Sequence, residues 1–122
     1  MRFHMGVYTE YLNKSLDFDK LQAERKIQLG RISKLRDRDI LVIAADLTKP
    51  NSSLDYSDIL PVQDQLATLT GTALDIIIET PGGLAEAAED IIAMVRGKYE
   101  KVGMIVPGWA KSAGTIFVLA GD

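Results

Sequence analysis

Three short apolar runs constrain this chain more than anything else in it. They are ILVIAA (Ile40 to Ala45), LDIIIET (Leu74 to Thr80) and VGMIV (Val102 to Val106). Each is rich in β-branched residues and ends at turn residues, the pattern of a buried strand. Each is followed by a stretch of helical period. DILPVQDQLATLT places Ile59, Val62, Leu66 and Leu69 at helical spacing, with Ser57 as the expected cap, Pro61 in the first turn and Gly71 as the stop. LAEAAEDIIAMVRG turns Leu84, Ala87, Ala88, Ile91, Ile92 and Val95 to one side, and Glu86, Glu89 and Asp90 to the other. SAGTIFVLAG opens a third, almost wholly apolar helix. Strand alternating with helix implies a parallel sheet with right-handed crossovers.

The segment before residue 39 reads differently. Residues 1–18 carry several aromatics without a clear period and are expected to form an irregular arm. Residues 19–38 predict a charged helix capped by Asp19 and weakened by Gly30. Its basic residues Arg31, Lys34, Arg36 and Arg38 are interrupted by Asp37 and Asp39, as on a solvated face. The division is therefore an N-terminal arm and charged helix over 1–38, and an α/β domain over 39–122.

Composition narrows the function. The formal net charge is −3, which suggests neither a nucleic acid nor an anionic membrane as partner. There is no cysteine, so disulfides, thiolate chemistry and Cys-based metal sites are excluded. The N-terminus lacks the apolar core of a signal peptide, and no stretch is long enough to span a membrane, so a cytoplasmic location is expected.

Ligands of parallel sheets bind beyond the carboxyl ends of the strands. Two glycine-bearing turns are expected there. In TPGG (Thr80 to Gly83), Gly82 and Gly83 permit positive φ and a close backbone approach, at a helix start whose N–H groups suit an anion. The anion is a phosphate or the oxyanion of an acyl-transfer intermediate. Neither the G-x-G-x-x-G nor the Walker pattern is present, which speaks against a nucleotide, and no cofactor or metal motif is found. In GWAKSAGT (Gly108 to Thr115), Ser112 lies between Ala110 and Gly114, small neighbours that allow a sharp strand-to-helix turn. Alone, such a serine reads as an N-cap. Paired with the glycine turn, it reads as a nucleophile, with the amide of Ala113 and that of Gly82 or Gly83 completing an oxyanion hole.

IIIETPGG, LAEAAEDI and VPGWAKSAGTIFVLAGD together resemble the ClpP/crotonase superfamily, and most closely its serine dehydrogenase proteinase group, related to signal peptide peptidase A and ClpP. The resemblance is dense over 74–122 and looser over 40–73. It implies a serine peptidase that cleaves peptide bonds through an acyl-enzyme on Ser112, with Gly83, Gly82 and Ala113 around the oxyanion. It also implies a peptide or protein substrate and a homo-oligomer. In those relatives the base is a lysine or histidine downstream of the serine, and this chain ends ten residues after Ser112.

Inside the chain the choices for a base are poor. His4, the lone histidine, lies in the arm. Lys111 adjoins Ser112, but successive side chains of a sharp turn diverge. Asp75 lies in a strand, and Asp46 follows one without an obvious proton to take. A final helix that is apolar all round would keep one side bare, so an N-terminal fragment of a longer domain, inactive by itself, is the expectation. Two alternatives stand beside the peptidase: a crotonase-type acyl-CoA enzyme holding a thioester enolate on the same amides, and a non-catalytic oligomerising domain.

Overall fold

The computed structural model describes residues 6–122. The chain divides into two compact units between Leu35 and Arg36.

In the first unit, Val7–Asn13 form helix α1, where an irregular arm was expected. Its Tyr11 hydroxyl donates to Glu24 and accepts from Gln28, 2.9 Å away, on the second helix. That helix, α2, runs from Phe18 to Arg36. The Asp17 carboxylate accepts from the Lys20 amide at 2.9 Å, so the cap is Asp17 and not Asp19.

The second unit is an α/β layer. Strands β1 (Asp39–Ala44), β2 (Ala73–Glu79) and β3 (Lys101–Ile105) form a three-stranded sheet in that order, all parallel. Helices α3 (Ile59–Thr68), α4 (Ala85–Lys98) and α5 (Ala113–Leu119) follow the strands in turn. When strand order follows chain order, right-handed crossovers place every helix on one face. The core obeys this. Leu41 and Ile43, then Leu74, Ile76 and Ile78, then Val102 and Met104 share one parity and pack with Val62, Leu66, Ile91, Val95 and Phe117. The opposite parity, Ile40, Val42, Ile77 and Ile105, is half-buried. Among the described residues, helices therefore cover one face of the sheet.

Polar contacts fix the ends of the layer. Asp75, fully buried on β2, accepts from Arg36 Nε at 2.6 Å and Arg38 Nη1 at 3.1 Å. Gly103 stands opposite, where any Cβ would overlap the Asp75 carboxylate. The Tyr99 hydroxyl donates to Asp39 at 2.6 Å, and burial together with that carboxylate pushes the phenol far above its usual range. The Gly71 amide donates to the same carboxylate at 2.7 Å, so Gly71 anchors the turn into β2, while α3 ends earlier, at Thr68.

A further correction concerns a helix start. Asp55, not Ser57, caps the element leading into α3. Its carboxylate accepts from the Ser57 amide at 2.7 Å, and Asp58 returns the favour to the Asp55 amide at 2.9 Å, a capping box around the 3-10 turn Tyr56–Asp58. The last helix keeps one side bare, as the sequence suggests: Phe117 is fully buried, but Leu119 is 80% exposed.

Candidate active site

The site forms where β2 and β3 end. Beyond Glu79 the chain makes one more strand-like residue, Thr80, which pairs in parallel with Ala110. The Thr80 amide donates to the Trp109 carbonyl at 2.8 Å, and the Lys111 amide donates to the Thr80 carbonyl at 3.2 Å. The two turns, some 30 residues apart in sequence, are thus stitched side by side, as the sequence predicts.

The glycines do what the sequence asks of them. Gly82 has φ +114° and Gly83 φ +145°, both in the region that favours glycine. Gly82 lies directly against the serine: a Cβ on it would stand 2.5 Å from Ser112 Cβ and 3.2 Å from Ser112 Oγ. Gly83 pairs with Leu54, and a Cβ on it would overlap the Leu54 backbone. The Gly82 carbonyl accepts from the Leu54 amide at 2.8 Å, and the Leu84 amide donates to the Leu54 carbonyl at 2.9 Å.

Ser112 has φ +51° and ψ −117°, a conformation an L-residue adopts only under constraint. Immediately after it α5 begins, with the Gly114 amide donating to the Lys111 carbonyl at 2.8 Å and the Thr115 amide to the Ser112 carbonyl at 2.9 Å. Ser112 is exposed, and its Oγ makes no capping hydrogen bond to the helix. An ordinary N-cap serine has the reverse properties: extended backbone and an Oγ bonded to the second or third amide. Here the serine is exposed and its Oγ is left uncommitted to the helix. Ala110 and Gly114 are both needed for its tightness, since a Cβ on Gly114 would stand 2.8 Å from Thr80 Cγ2 and 3.3 Å from Ala110 Cβ.

The amides around the serine differ. Gly82 N–H donates to the Thr80 hydroxyl at 3.1 Å and is engaged. Gly83 N–H and Ala113 N–H have no acceptor among the described residues. Gly83 is exposed and Ala113 is buried. Unpaired amides in the two turns are of the kind that can hold a developing oxyanion.

No base meets Ser112 Oγ among the described residues. The Lys111 ammonium lies 3.7 Å from the centroid of the Trp109 ring, a cation–π contact on an exposed side chain. Asp75 is held by its two arginines. Asp46 accepts from the Thr48 hydroxyl at 2.6 Å and the Thr48 amide at 3.0 Å, which hold its carboxyl below the usual range. It belongs to a loop turn and not to the serine. His4 falls outside the described residues. No cluster of His, Asp and Glu that would hold a metal ion occurs among the described residues. A cavity of about 240 Å³ adjoins the glycine turn, lined by Thr80, Glu79, Leu54 and Asp55 among others.

Thr80 and Leu54 are the site residues that sequence reasoning passes over. Thr80 reads as the last strand residue, and Leu54 as part of a polar loop. The available signal was the lone leucine in NSSLDYS, an apolar residue that a wholly exposed loop would not need. It is 4% exposed.

Comparison with known proteins agrees with this geometry. The family description "ClpP-like SDH-type serine proteinase" matches residues 55–122, more than half of the chain and all of the two turns. The uncharacterized protein MJ1495 of Methanocaldococcus jannaschii is 43% identical over 125 residues, covering 98% of this chain and 42% of its own length. MJ0137 of the same organism is 43% identical over 49 residues, 40% of this chain and 17% of its own. The chain thus spans less than half the length of these relatives. No helix among the described residues is long and apolar enough to cross a membrane. On the strength of the family match, with the serine turn and glycine turn both inside it, this chain belongs to the ClpP-like SDH-type serine proteinases.

Proposed function

We propose that this chain supplies the nucleophile and the oxyanion hole of a serine peptidase. Ser112 Oγ attacks the carbonyl carbon of a peptide bond while its proton passes to a base. The tetrahedral oxyanion is held by the amides of Gly83 and Ala113. The C–N bond then breaks, the amine leaves with a proton, and water releases the acyl group from Ser112. The observation that carries this reading is the serine itself: φ +51°, exposed, its Oγ uncommitted to the helix it precedes.

Gly83 is favoured over Gly82 because the Gly82 amide is already bonded to Thr80. The base comes from outside the described residues, in the remainder of a longer protein or in a partner copy of a homo-oligomer. In this reading the described residues alone do not turn over substrate. The substrate is a peptide or protein, and the protein works in the cytoplasm.

The test is active-site labelling of the full-length protein with a fluorophosphonate, with the adduct located by peptide mass spectrometry. An adduct on Ser112 that is lost in Ser112→Ala supports the reading. A full-length protein left unlabelled, or proteolysis retained in Ser112→Ala, refutes it. The thioester reading uses the same two amides but has no need for an exposed serine hydroxyl, and measurable coenzyme A affinity by calorimetry would favour it.

A further inference from the structure

We infer that Thr80 is a positioning residue that decides which glycine amide serves the oxyanion and holds both turns of the site in register. The inference rests on the peptidase reading for its catalytic consequence, though not for its geometry.

The Thr80 side chain is 2% exposed, yet its hydroxyl has two short-range partners, both on Gly82. It accepts from the Gly82 amide at 3.1 Å and donates to the Gly82 carbonyl at 3.3 Å. That carbonyl also accepts from the Leu54 amide at 2.8 Å. The peptide linking Gly82 to Gly83 is trans and planar, so its N–H points opposite to its carbonyl. With the carbonyl fixed on Leu54 and Thr80, the Gly83 N–H is aimed away from both. The same hydroxyl occupies the Gly82 N–H and removes it from competition. One buried side chain therefore consumes one amide and orients the next.

The Thr80 backbone does the complementary work on the serine turn. Its N–H and C=O bond Trp109 and Lys111, at 2.8 Å and 3.2 Å, and its Cγ2 is the atom against which Gly114 packs. The hydroxyl sets the amide on one turn, and the main chain and methyl set the elbow on the other. Glycines at 82 and 83 have wide conformational freedom, so without the hydroxyl the linking peptide is held by the Leu54 amide alone. Removing one oxyanion donor costs about 100-fold to 1000-fold in kcat. A misdirected Gly83 amide is expected to cost about 100-fold.

The experiment uses the full-length protein and the variants Thr80→Val and Thr80→Ser, with thermal unfolding to check that each folds. Amide exchange is read by NMR on glycine-labelled protein, and peptide hydrolysis is read as kcat and KM separately. The wild type should show a protected Gly82 amide and a fast-exchanging Gly83 amide. Thr80→Val should unprotect Gly82 and lower kcat about 100-fold with little change in KM. Thr80→Ser should restore both. A merely structural role would move stability without splitting kcat from KM, and would not be rescued by the hydroxyl alone. An unchanged Gly82 amide in Thr80→Val overturns the inference, as does wild-type kcat. If the wild type neither turns over peptides nor labels at Ser112, the peptidase reading fails, and the exchange result still decides whether Thr80 sets the two amides.

Discussion

Gly82→Ala is the substitution on which the geometry of the site can be judged most sharply. The new Cβ would sit 2.5 Å from Ser112 Cβ and 2.9 Å from the Lys111 carbonyl oxygen. Neither atom is the far end of a flexible chain. At φ +114° an L-residue is also strained, by about 1–3 kcal/mol. Overpacking adds about 1–3 kcal/mol. A loss of about 3 kcal/mol is expected, near 10 °C in melting temperature for a chain of this size. Gly97→Ala is the control, because a Cβ there meets nothing within 4 Å and the residue is helical. It should be neutral or slightly stabilising. The assay is urea unfolding of each variant, beside the rate of fluorophosphonate labelling in the full-length protein. Relief of the clash pushes Ser112 out of its turn, so labelling should fall by far more than stability alone accounts for. If Gly82→Ala unfolds at the wild-type midpoint and labels at the wild-type rate, the two turns do not touch as described.

Other expectations follow from the same contacts. Phe117 is fully buried on the face of α5 that meets the core, so Phe117→Ala should cost about 3–5 kcal/mol by urea unfolding. Tyr99→Phe should cost about 1 kcal/mol, since Asp39 keeps the Gly71 amide as a donor. Because the Tyr99 phenol is raised above its unfolded value, its contribution is complete below about pH 10 and is lost as the pH rises through the raised value. Tyrosinate absorbance followed through an alkaline titration should show this tyrosine ionising only as the fold is lost. The Asp55 carboxyl is held low by the Ser57 hydroxyl and then the Ser57 amide, so its support is present above about pH 4 and lost as the pH falls through the lowered value. Asp55→Ala should lower the urea midpoint at neutral pH and flatten its dependence on acid.

The sheet and the site were legible in the sequence for different reasons. Strands β1 to β3 were legible because β-branched runs have few other uses, and their order follows from short crossovers. The caps were harder to read. Ser57 and Asp55 both suit a helix start, and only the capping box with Asp58 decides between them. The helix α1 was missed because seven residues carry too little periodicity to stand out among aromatics. The pairing of TPGG with the serine turn was legible because it depends only on both turns lying at the same end of neighbouring parallel strands. Thr80 was not, because its role is set by a hydroxyl two residues from its partner amide, which no period or spacing encodes.

A physical order follows among the parts of the site. The Ser112 conformation costs about 1–3 kcal/mol and persists only where its surroundings over-determine it. Those surroundings are local and main-chain: the Thr80 bridge to Trp109 and Lys111, the first turn of α5, and the close approach of Gly82. None of them is a side-chain base. The strained elbow and its free amides are therefore a property of the sheet ends, formed with the fold and independent of whatever later removes the serine proton. On this ordering, mutations at Gly82, Gly114 or Thr80 should damage labelling and fold together or through geometry. Loss of the base should abolish turnover while leaving the amide exchange pattern of Gly82 and Gly83 as it is. Measuring that pattern in a base-deficient variant of the full-length protein separates the two contributions. A Gly82 amide that loses its protection there would show that the base, and not the sheet end, builds the turn.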